Sequence, residues 1–337
     1  MPAGSAEAAP APVRSLFRAA QVDGAKPPCD RLLLRAFYPA RPAQSAAERD
    51  SGVLQADAAR APMPSVIFMP GVNCDPSGYR WLAEGLAERG WLALTYAFVA
   101  EEMPGAPALT PGLNLDALRP DSYGQRPSST VLPALLGAME RLNESGPLRG
   151  LLDTGRVALG GHSAGGSAAL LNAHPGWFPQ LCAAFSYGAH TGASTMLGHA
   201  PGSHLKVPPQ LPLLLMGGER DGVIAASRGR YGEPDGDASG PIERSFRESV
   251  AGGRGDAWLA ILAGANHFAP VHPEDHSSGR PFLDWRPERP PQEIRATLLE
   301  LCADFLDAHV RDDAAARESL VKKLEAGGPC IAKWECK

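Results

Sequence analysis

Short runs of apolar residues recur along the chain, and they limit its possible folds more than any other feature of the sequence. Three of them are "VIFM" at 66–69, "LPLLLM" at 211–216 and "AWLAILA" at 257–263. A strand with one face in water alternates apolar and polar residues, whereas a strand covered on both faces is apolar throughout. These runs therefore predict buried strands in a sheet with helices on both faces. The predicted strands are 31–40, 65–71, 91–99, 155–161, 181–189, 211–218 and 257–264.

Segments with helical periodicity separate these strands. In 77–90, for example, Tyr79, Leu82 and Leu86 recur at the spacing of one helix face. Strands that alternate with helices are joined by right-handed crossovers and become neighbours in a parallel sheet. The sequence therefore predicts an α/β fold with a doubly wound, mostly parallel sheet. The predicted helices are 77–90, 128–144, 164–174, 241–252 and 291–310.

One large domain with two flanking segments is predicted. The 337 residues, 44% of them hydrophobic, are enough for a single large core. Residues 1–12 are rich in Ala and Pro and are predicted to be mobile, and the domain spans 13–310. Within it, 100–127 holds several prolines and glycines without a sustained period, which predicts an irregular, lid-like insertion. Residues 311–337 are predicted to form a C-terminal helix and tail.

The composition argues against several classes of protein. The formal net charge is -5 and there is no long Lys/Arg run, so binding to nucleic acid or anionic membranes is not expected. No stretch approaches about 18 uninterrupted apolar residues, so no membrane span is predicted. The first residues lack the apolar segment of a secretory signal, which makes a cytoplasmic protein the expectation. Arg14 and Arg18 in an Ala-rich start leave an organelle transit peptide as the alternative. Nothing in the sequence predicts an oligomeric state.

A serine flanked by glycines lies between a predicted strand and a predicted helix, in "GRVALGGHSAGGSAALL" at 155–171. Gly161 to Gly165 match the pattern G-x-S-x-G, with Ser163 at the centre. A tight strand-to-helix connection needs small residues in any case, which is the purely structural explanation. The strand before it and the helix after it favour a nucleophile on a strained turn. Glycines on both sides would let strand and helix pass closely, and the helix N-terminus would direct N–H groups at the serine oxygen.

Four segments stand in the order of a known family, namely "VIFMPG", "GHSAGG", "GGERD" and "GANHF". In these segments the chain resembles the α/β-hydrolase family, over roughly residues 65–310 and more weakly at 31–40. The most similar branch contains chlorophyllases, polyester hydrolases, platelet-activating-factor acetylhydrolases and dienelactone hydrolases. Dienelactone hydrolases typically carry cysteine at the strand-to-helix turn where this chain has Ser163. The serine therefore argues against dienelactone hydrolases within this branch. The resemblance implies the α/β-hydrolase fold and a triad in the order nucleophile, acid, histidine.

The acid implied by this order is Asp221, which follows an apolar strand in "LLLMGGERDG". Glu219 lies two residues earlier. An aspartate before Gly222 is also a common turn residue because of its local hydrogen bonds, which is the structural explanation for it. The matching strand and chain order favour the triad.

The predicted general base is His267 in "AILAGANHFAP", because it lies just beyond the last apolar strand. His272 and His276 follow further out in a loop. A solvated loop histidine is the alternative for each of them. A metal site formed by these three histidines and Asp275 is another alternative, but the spacing fits no zinc pattern. The six cysteines are scattered without a C-x-x-C pair, so no metal is predicted.

An oxyanion hole needs two N–H groups directed at a developing negative charge. The residue after the nucleophile, Ala164, would supply one of them. The resemblance implies that the other comes from the loop after the strand at 65–71, from Val72 or, alternatively, from Asn73. The candidate substrate-binding residues are Asn73, His162 and Trp177, with ordinary packing as the alternative for Trp177.

Together these residues predict a serine hydrolase that cleaves a carboxylic ester through an acyl-enzyme intermediate. Ser163 would attack the carbonyl, His267 would transfer the proton and Asp221 would orient His267. No cofactor or metal is implied, and the net charge and apolar loops favour a small neutral or hydrophobic ester. The alternatives are acyl transfer, thioester cleavage or amide cleavage by the same triad, or a catalytically silent binding module on this fold.

Overall fold

Ten strands form one sheet in the described residues of the computed structural model, which are 12–103, 106–233, 235–328 and 330–337. The strands are β1 (Val13–Gln21), β2 (Arg31–Pro39), β3 (Met63–Met69), β4 (Leu92–Met103), β5 (Ala106–Leu109), β6 (Leu152–His162), β7 (Leu181–Tyr187), β8 (Leu213–Arg220), β9 (Ala257–Asn266) and β10 (Ile331–Cys336). Their order is β1-β2-β4-β3-β6-β7-β8-β9-β10, and β5 pairs only with β4. From β4 to β9 in this order, neighbouring strands are parallel. The pairs β1–β2, β2–β4, β4–β5 and β9–β10 are antiparallel.

Helices cover both faces of the sheet. They are α1 (Ala46–Ser51), α2 (Arg80–Glu88), α3 (Leu132–Glu144), α4 (Ala164–Leu171), α5 (Gly222–Ser227), α6 (Gly240–Ser249), α7 (Pro291–Val310) and α8 (Ala314–Glu325). On one face α3, α4 and α6 pack with strand residues such as Leu213 and Leu215. On the other face α2, α7 and α8 pack with Leu214 and Met216. Successive residues of one strand therefore enter different halves of the core, which explains the continuous apolar runs.

The predicted α/β class with a mostly parallel sheet and flanking helices is confirmed. Each of the seven predicted strands has a counterpart, in β2, β3, β4, β6, β7, β8 and β9. The five predicted helices correspond to α2, α3, α4, α6 and α7. The ends differ from the predicted ends by a few residues, which is the usual uncertainty at the ends of elements.

Three strands, β1, β5 and β10, lie outside the seven predicted strands. β10 falls in the predicted tail and pairs antiparallel with β9. The last strand of the chain therefore belongs to the same sheet. β1 pairs along its whole length with β2. The predicted mobile segment 1–12 lies outside the described residues, except for Pro12. The predicted insertion at 100–127 is partly regular, because β4 continues into it and pairs with β5.

No helix in the described ranges combines the length and the apolarity that a membrane crossing requires.

The carboxyl ends of the parallel strands meet at one edge of the sheet, where open α/β sheets bind ligands. The residues that directly follow β6, β7, β8 and β9 are Ser163, Gly188, Asp221 and His267. The predicted nucleophile, acid and base are therefore each placed by the end of a different strand, at the same edge.

Candidate active site

Ser163 lies at the turn between β6 and α4 with φ of 55° and ψ of -126°. A positive φ is uncommon for a residue with a side chain and costs about 1–3 kcal/mol where the surrounding structure imposes it. The Ser163 N–H donates to the Tyr187 carbonyl at the end of β7, at 2.9 Å. The Ser163 side chain does not cap α4, and it is half-buried. The hydroxyl is therefore held on a strained turn and makes no capping hydrogen bond to the helix.

Close backbone contacts explain the two glycines of the pattern. A Cβ built on Gly161 would lie 2.3 Å from the Gly165 carbonyl oxygen, and one on Gly165 would lie 2.2 Å from the Met69 carbonyl oxygen. Both distances are far below van der Waals contact, and the opposing atoms are backbone atoms that cannot move aside. The close approach of strand and helix predicted from the sequence is present, and β3 takes part in it as well.

Asp221 and His267 form a buried hydrogen-bonded pair. The distance from His267 Nδ1 to Asp221 Oδ2 is 2.8 Å, and the residues are 2% and 0% exposed. A carboxylate only accepts hydrogen bonds, so Nδ1 carries the proton and Nε2 is the basic nitrogen. The other carboxylate oxygen, Oδ1, accepts the Ile224 N–H at 2.8 Å and caps α5. Both oxygens of the aspartate are therefore fixed, and with them the histidine ring.

The three predicted triad residues are neighbours, but only two of them are bonded. A Cβ on Gly188 would lie 3.0 Å from His267 Nδ1 and 3.2 Å from Asp221 Oδ2. Gly188 follows Tyr187, whose carbonyl holds Ser163. Among the described residues no hydrogen bond joins the Ser163 hydroxyl to His267. Such bonds are often long in ligand-free sites and shorten when substrate binds.

The other candidate acid and bases lie at the surface. Glu219 is exposed and accepts the Gly264 N–H at 3.0 Å. His272 is exposed, and the His276 side chain is 77% exposed and lies 3.6 Å from Glu274. The four residues of the metal alternative do not converge, and within the described ranges no group of three or more His, Cys, Asp or Glu residues is placed to hold a metal ion.

Two backbone N–H groups near Ser163 have no acceptor among the described residues, those of Val72 and Ala164. The alternative donor, Asn73, donates its N–H to the Leu109 carbonyl at 2.8 Å. Gly71 brings the Val72 loop to the serine, because a Cβ on Gly71 would lie 3.3 Å from Ser163 Cβ. Val72 is therefore the better placed of the two candidates in this loop.

Asn73 holds the edge of the site together. It has a φ of 55°, which asparagine tolerates better than most residues. Its side-chain Oδ1 accepts the Leu109 N–H at 3.2 Å, and its carbonyl accepts the Ser278 hydroxyl at 3.0 Å. Asn73 thus connects the Val72 loop to the 100–127 insertion and to the loop after β9. Its role in substrate binding stays a prediction.

His162 is a fully buried hydrogen-bonding residue. Its Nε2 lies 3.0 Å from the His267 carbonyl oxygen and its Nδ1 lies 2.8 Å from the Tyr79 hydroxyl. The Tyr79 oxygen accepts the Gly71 N–H at 3.2 Å. Since the carbonyl only accepts, Nε2 donates to it, and the Tyr79 hydroxyl donates to Nδ1. A chain of three bonds thus joins the loops that carry Val72, Ser163 and His267.

Burial keeps the His162 ring neutral. It holds the pKa of His162 well below its ordinary value, and the nearby charge of His267 lowers it further. The ring is 0% exposed and bonds to Tyr79 and to the His267 carbonyl. The substrate-binding role of His162 stays a prediction.

Trp177 lies at the far end of α4. It follows this eight-residue helix, which is about 12 Å long, whereas Ser163 precedes it. Trp177 stacks on His174 with ring centroids 4.5 Å apart and packs against the core. The packing alternative for Trp177 is therefore present in the structure, and its role in substrate binding stays a prediction.

Asp284 is a residue of the site that the sequence did not single out. Its Oδ1 accepts the Gly222 N–H at 2.9 Å and its Oδ2 accepts the Phe268 N–H at 3.1 Å. These are the residues directly after Asp221 and His267. Burial raises the pKa of Asp284 to about 6, while the charge of His267 opposes this and that of Asp221 adds to it. No motif in "PFLDW" marks this residue, because its role depends on segments that are distant in sequence.

Replacement of Asp284 by Asn should change how stability depends on pH. The folded-state pKa of about 6 lies above the usual 3.8, so the folded protein takes up a proton as pH falls from about 6 to 4 and the unfolded chain does not. The wild type should therefore gain stability relative to Asp284→Asn over this range, by up to about 3 kcal/mol. Urea unfolding at pH 7, 6, 5 and 4 measures the difference. If the difference in unfolding free energy between wild type and Asp284→Asn were the same at all four pH values, the raised pKa of Asp284 would be contradicted.

No protein-family model matches the chain, and no curated protein matches it significantly. The geometry around Ser163, Asp221 and His267 is therefore what bears on the function.

Proposed function

We propose that the chain is a serine hydrolase of the α/β-hydrolase fold that cleaves carboxylic esters. The observation that carries this proposal is the conformation of Ser163. A strained, positive-φ serine follows a central strand, at the same sheet edge as a buried His–Asp pair. A tight turn alone would be satisfied by glycine, which has no strain at this φ. A serine on such a turn whose hydroxyl does not cap the helix is what a nucleophile requires.

In the proposed reaction the Ser163 oxygen attacks the ester carbonyl. His267 Nε2 takes the hydroxyl proton, because Nδ1 is protonated and donates to Asp221. The same nitrogen returns the proton to the leaving alcohol, which yields an acyl-serine. A water molecule then repeats the sequence and releases the carboxylic acid. Asp221 stays ionised and stabilises the imidazolium that forms.

The developing oxyanion would be bound by the N–H groups of Val72 and Ala164. Both groups lack a protein acceptor within the described part of the chain, and both are fixed before substrate arrives. Val72 is held by the bonds of Asn73 on one side and by the Tyr79–Gly71 bond on the other. Donors that need no reorganisation stabilise the transition state more than they stabilise the substrate.

Pre-steady-state kinetics with 4-nitrophenyl acetate tests this function. An acyl-enzyme mechanism predicts a burst of nitrophenolate, up to one equivalent per protein chain, followed by slower steady turnover. A panel of thioesters and anilides of the same acyl group shows whether oxygen esters are preferred. Turnover of esters no faster than that of Ser163→Ala would contradict the proposal and favour a silent binding module.

A further inference from the structure

A buried tyrosine lies next to the proposed oxyanion loop. Tyr79 ends the short segment Pro76–Tyr79, directly before α2, and is 1% exposed. Its ring packs against Phe68 of β3 with centroids 4.8 Å apart. The apolar spacing of 77–90 accounts for the burial of this ring, but not for the polar atom that it carries. A buried hydroxyl needs hydrogen-bond partners, and those of Tyr79 belong to the site around Ser163.

The first partner is the N–H of Gly71, which donates to the Tyr79 oxygen at 3.2 Å. The carbonyl of Gly71 accepts the Cys74 N–H, also at 3.2 Å. This carbonyl and the Val72 N–H belong to one planar peptide group and point in opposite directions. The two bonds to Gly71 therefore fix the direction of the Val72 N–H, which is the proposed oxyanion donor.

The second partner is the His162 ring. The Tyr79 hydroxyl donates to Nδ1 at 2.8 Å, and Nε2 on the other side of the ring donates to the His267 carbonyl at 3.0 Å. The rings of His162 and His267 have centroids 4.7 Å apart. A Cβ on Gly71 would lie 3.1 Å from His162 Nδ1 and 3.3 Å from Ser163 Cβ. The hydroxyl therefore joins the two loops directly beside the proposed nucleophile.

The backbone next to Tyr79 is bonded to the loop that follows His267. The carbonyl of Gly78 accepts the His272 N–H at 2.7 Å. A Cβ on Gly78 would lie only 2.7 Å from Val271 Cγ1, so the two segments are in close contact. Tyr79 is thus fixed relative to the loop of the proposed base by its own backbone as well as by its hydroxyl.

Burial keeps the Tyr79 hydroxyl and the His162 ring in one protonation state. It raises the pKa of Tyr79 well above its ordinary value and holds the pKa of His162 well below its ordinary value. The hydroxyl therefore keeps the proton that it donates, and Nδ1 stays free to accept it. The two bonds of the hydroxyl are present together at neutral pH.

We propose that Tyr79 is a positioning residue whose hydroxyl holds the Val72 N–H and the loop of His267 in a fixed relation. This inference rests on the proposed ester hydrolysis at Ser163. In that reaction negative charge develops on the carbonyl oxygen while His267 takes the proton. A donor and a base that are already fixed relative to each other need no reorganisation at this step. The hydroxyl should therefore act on the transition state and very little on substrate binding.

Tyr79→Phe tests this role, because it removes the hydroxyl and keeps the ring. We expect kcat for 4-nitrophenyl acetate to fall about ten- to a hundredfold, while KM changes by less than about threefold. Phenylboronic acid, which forms a tetrahedral adduct with a nucleophilic serine, should bind more weakly by about the same factor. A residue that only stabilised the fold would not separate kcat from KM in this way.

Tyr96→Phe is the matched control. Tyr96 is 0% exposed, and its hydroxyl donates to the Pro111 carbonyl at 2.8 Å. The control therefore also loses a buried hydroxyl and its bond, and it should keep kcat within about twofold of the wild type. If kcat fell equally in Tyr79→Phe and Tyr96→Phe, or if a raised KM accounted for most of the lost kcat/KM, the proposal would be overturned.

Thermal unfolding shows whether Tyr79→Phe is folded, and His162→Gln replaces it if it is not. The amide N–H of this glutamine can still reach the His267 carbonyl, whereas the acceptor of the Tyr79 hydroxyl is lost. Here too kcat should fall at least about tenfold with little change in KM. An unchanged kcat in this variant would likewise overturn the proposal.

Hydrogen exchange tests the link between Tyr79 and the oxyanion loop without any turnover. The Gly71 N–H loses its acceptor in Tyr79→Phe, so the peptide that covers 70–74 should exchange at least about tenfold faster than in the wild type or in Tyr96→Phe. Equal exchange in all three proteins would contradict the role of Tyr79. If the wild type hydrolyses no ester, the proposed reaction fails, while the exchange rates still decide whether Tyr79 holds this loop.

Discussion

Replacement of Ser163 by alanine is expected to lower kcat for ester hydrolysis by a factor on the order of 10⁴ to 10⁶. The loss is this large because alanine provides no nucleophile, while the N–H groups of Val72 and Ala164 and the His–Asp pair remain. The φ of 55° at this position is equally strained for alanine, so the melting temperature should change little. Steady-state kinetics with 4-nitrophenyl acetate and thermal unfolding measure the two effects.

Ser167→Ala is the matched control for this variant. Ser167 lies one turn further along the same helix, and its hydroxyl donates to the His190 carbonyl at 2.9 Å. The control loses a hydroxyl and a hydrogen bond from α4 without removing the proposed nucleophile, so it should keep most of the activity. Comparable losses in Ser163→Ala and Ser167→Ala would mean that the helix, and not the Ser163 hydroxyl, supports the activity.

Replacement of His267 by alanine is expected to reduce kcat by a factor on the order of 10⁴ or more, because the proton of Ser163 then has no acceptor. His272→Ala and His276→Ala are the controls. Both histidines are exposed, and neither is bonded to a carboxylate as closely as His267 is to Asp221. Each control should keep most of the wild-type rate. An inactive His272→Ala or His276→Ala beside an active His267→Ala would contradict the proposed triad.

The strands of the sheet could be predicted because burial on both faces leaves a local signal. Leu213 to Met216 are apolar at every position since alternate residues enter opposite halves of the core. β10 left no such signal. Its sequence, "IAKWEC", mixes charged and apolar residues, and the strand pairs with β9 at the sheet edge while Ile331 and Trp334 pack against the core. Pairing with a distant partner is not encoded in the periodicity of a six-residue segment.

The same distinction applies to the site. The conformation of Ser163 and the need for Gly161 and Gly165 arise within five consecutive residues, so the pattern predicts them. The bond between His162 and Tyr79 joins residues 83 positions apart, and Asp284 bonds to two separate loops. The sequence therefore indicated a polar His162 near the serine without showing that its ring is enclosed. Residues whose roles depend on such long-range contacts need the three-dimensional structure.

Covalent labelling with a fluorophosphonate probe tests the central claim most directly. The probe reacts with a serine only where a base activates the hydroxyl and N–H donors stabilise the oxyanion. After incubation of the native protein, digestion and mass spectrometry locate the adduct. We expect one adduct per chain, on Ser163, and none in the heat-unfolded protein. An adduct on another residue, or a native protein that hydrolyses esters while Ser163 stays unmodified, would contradict it.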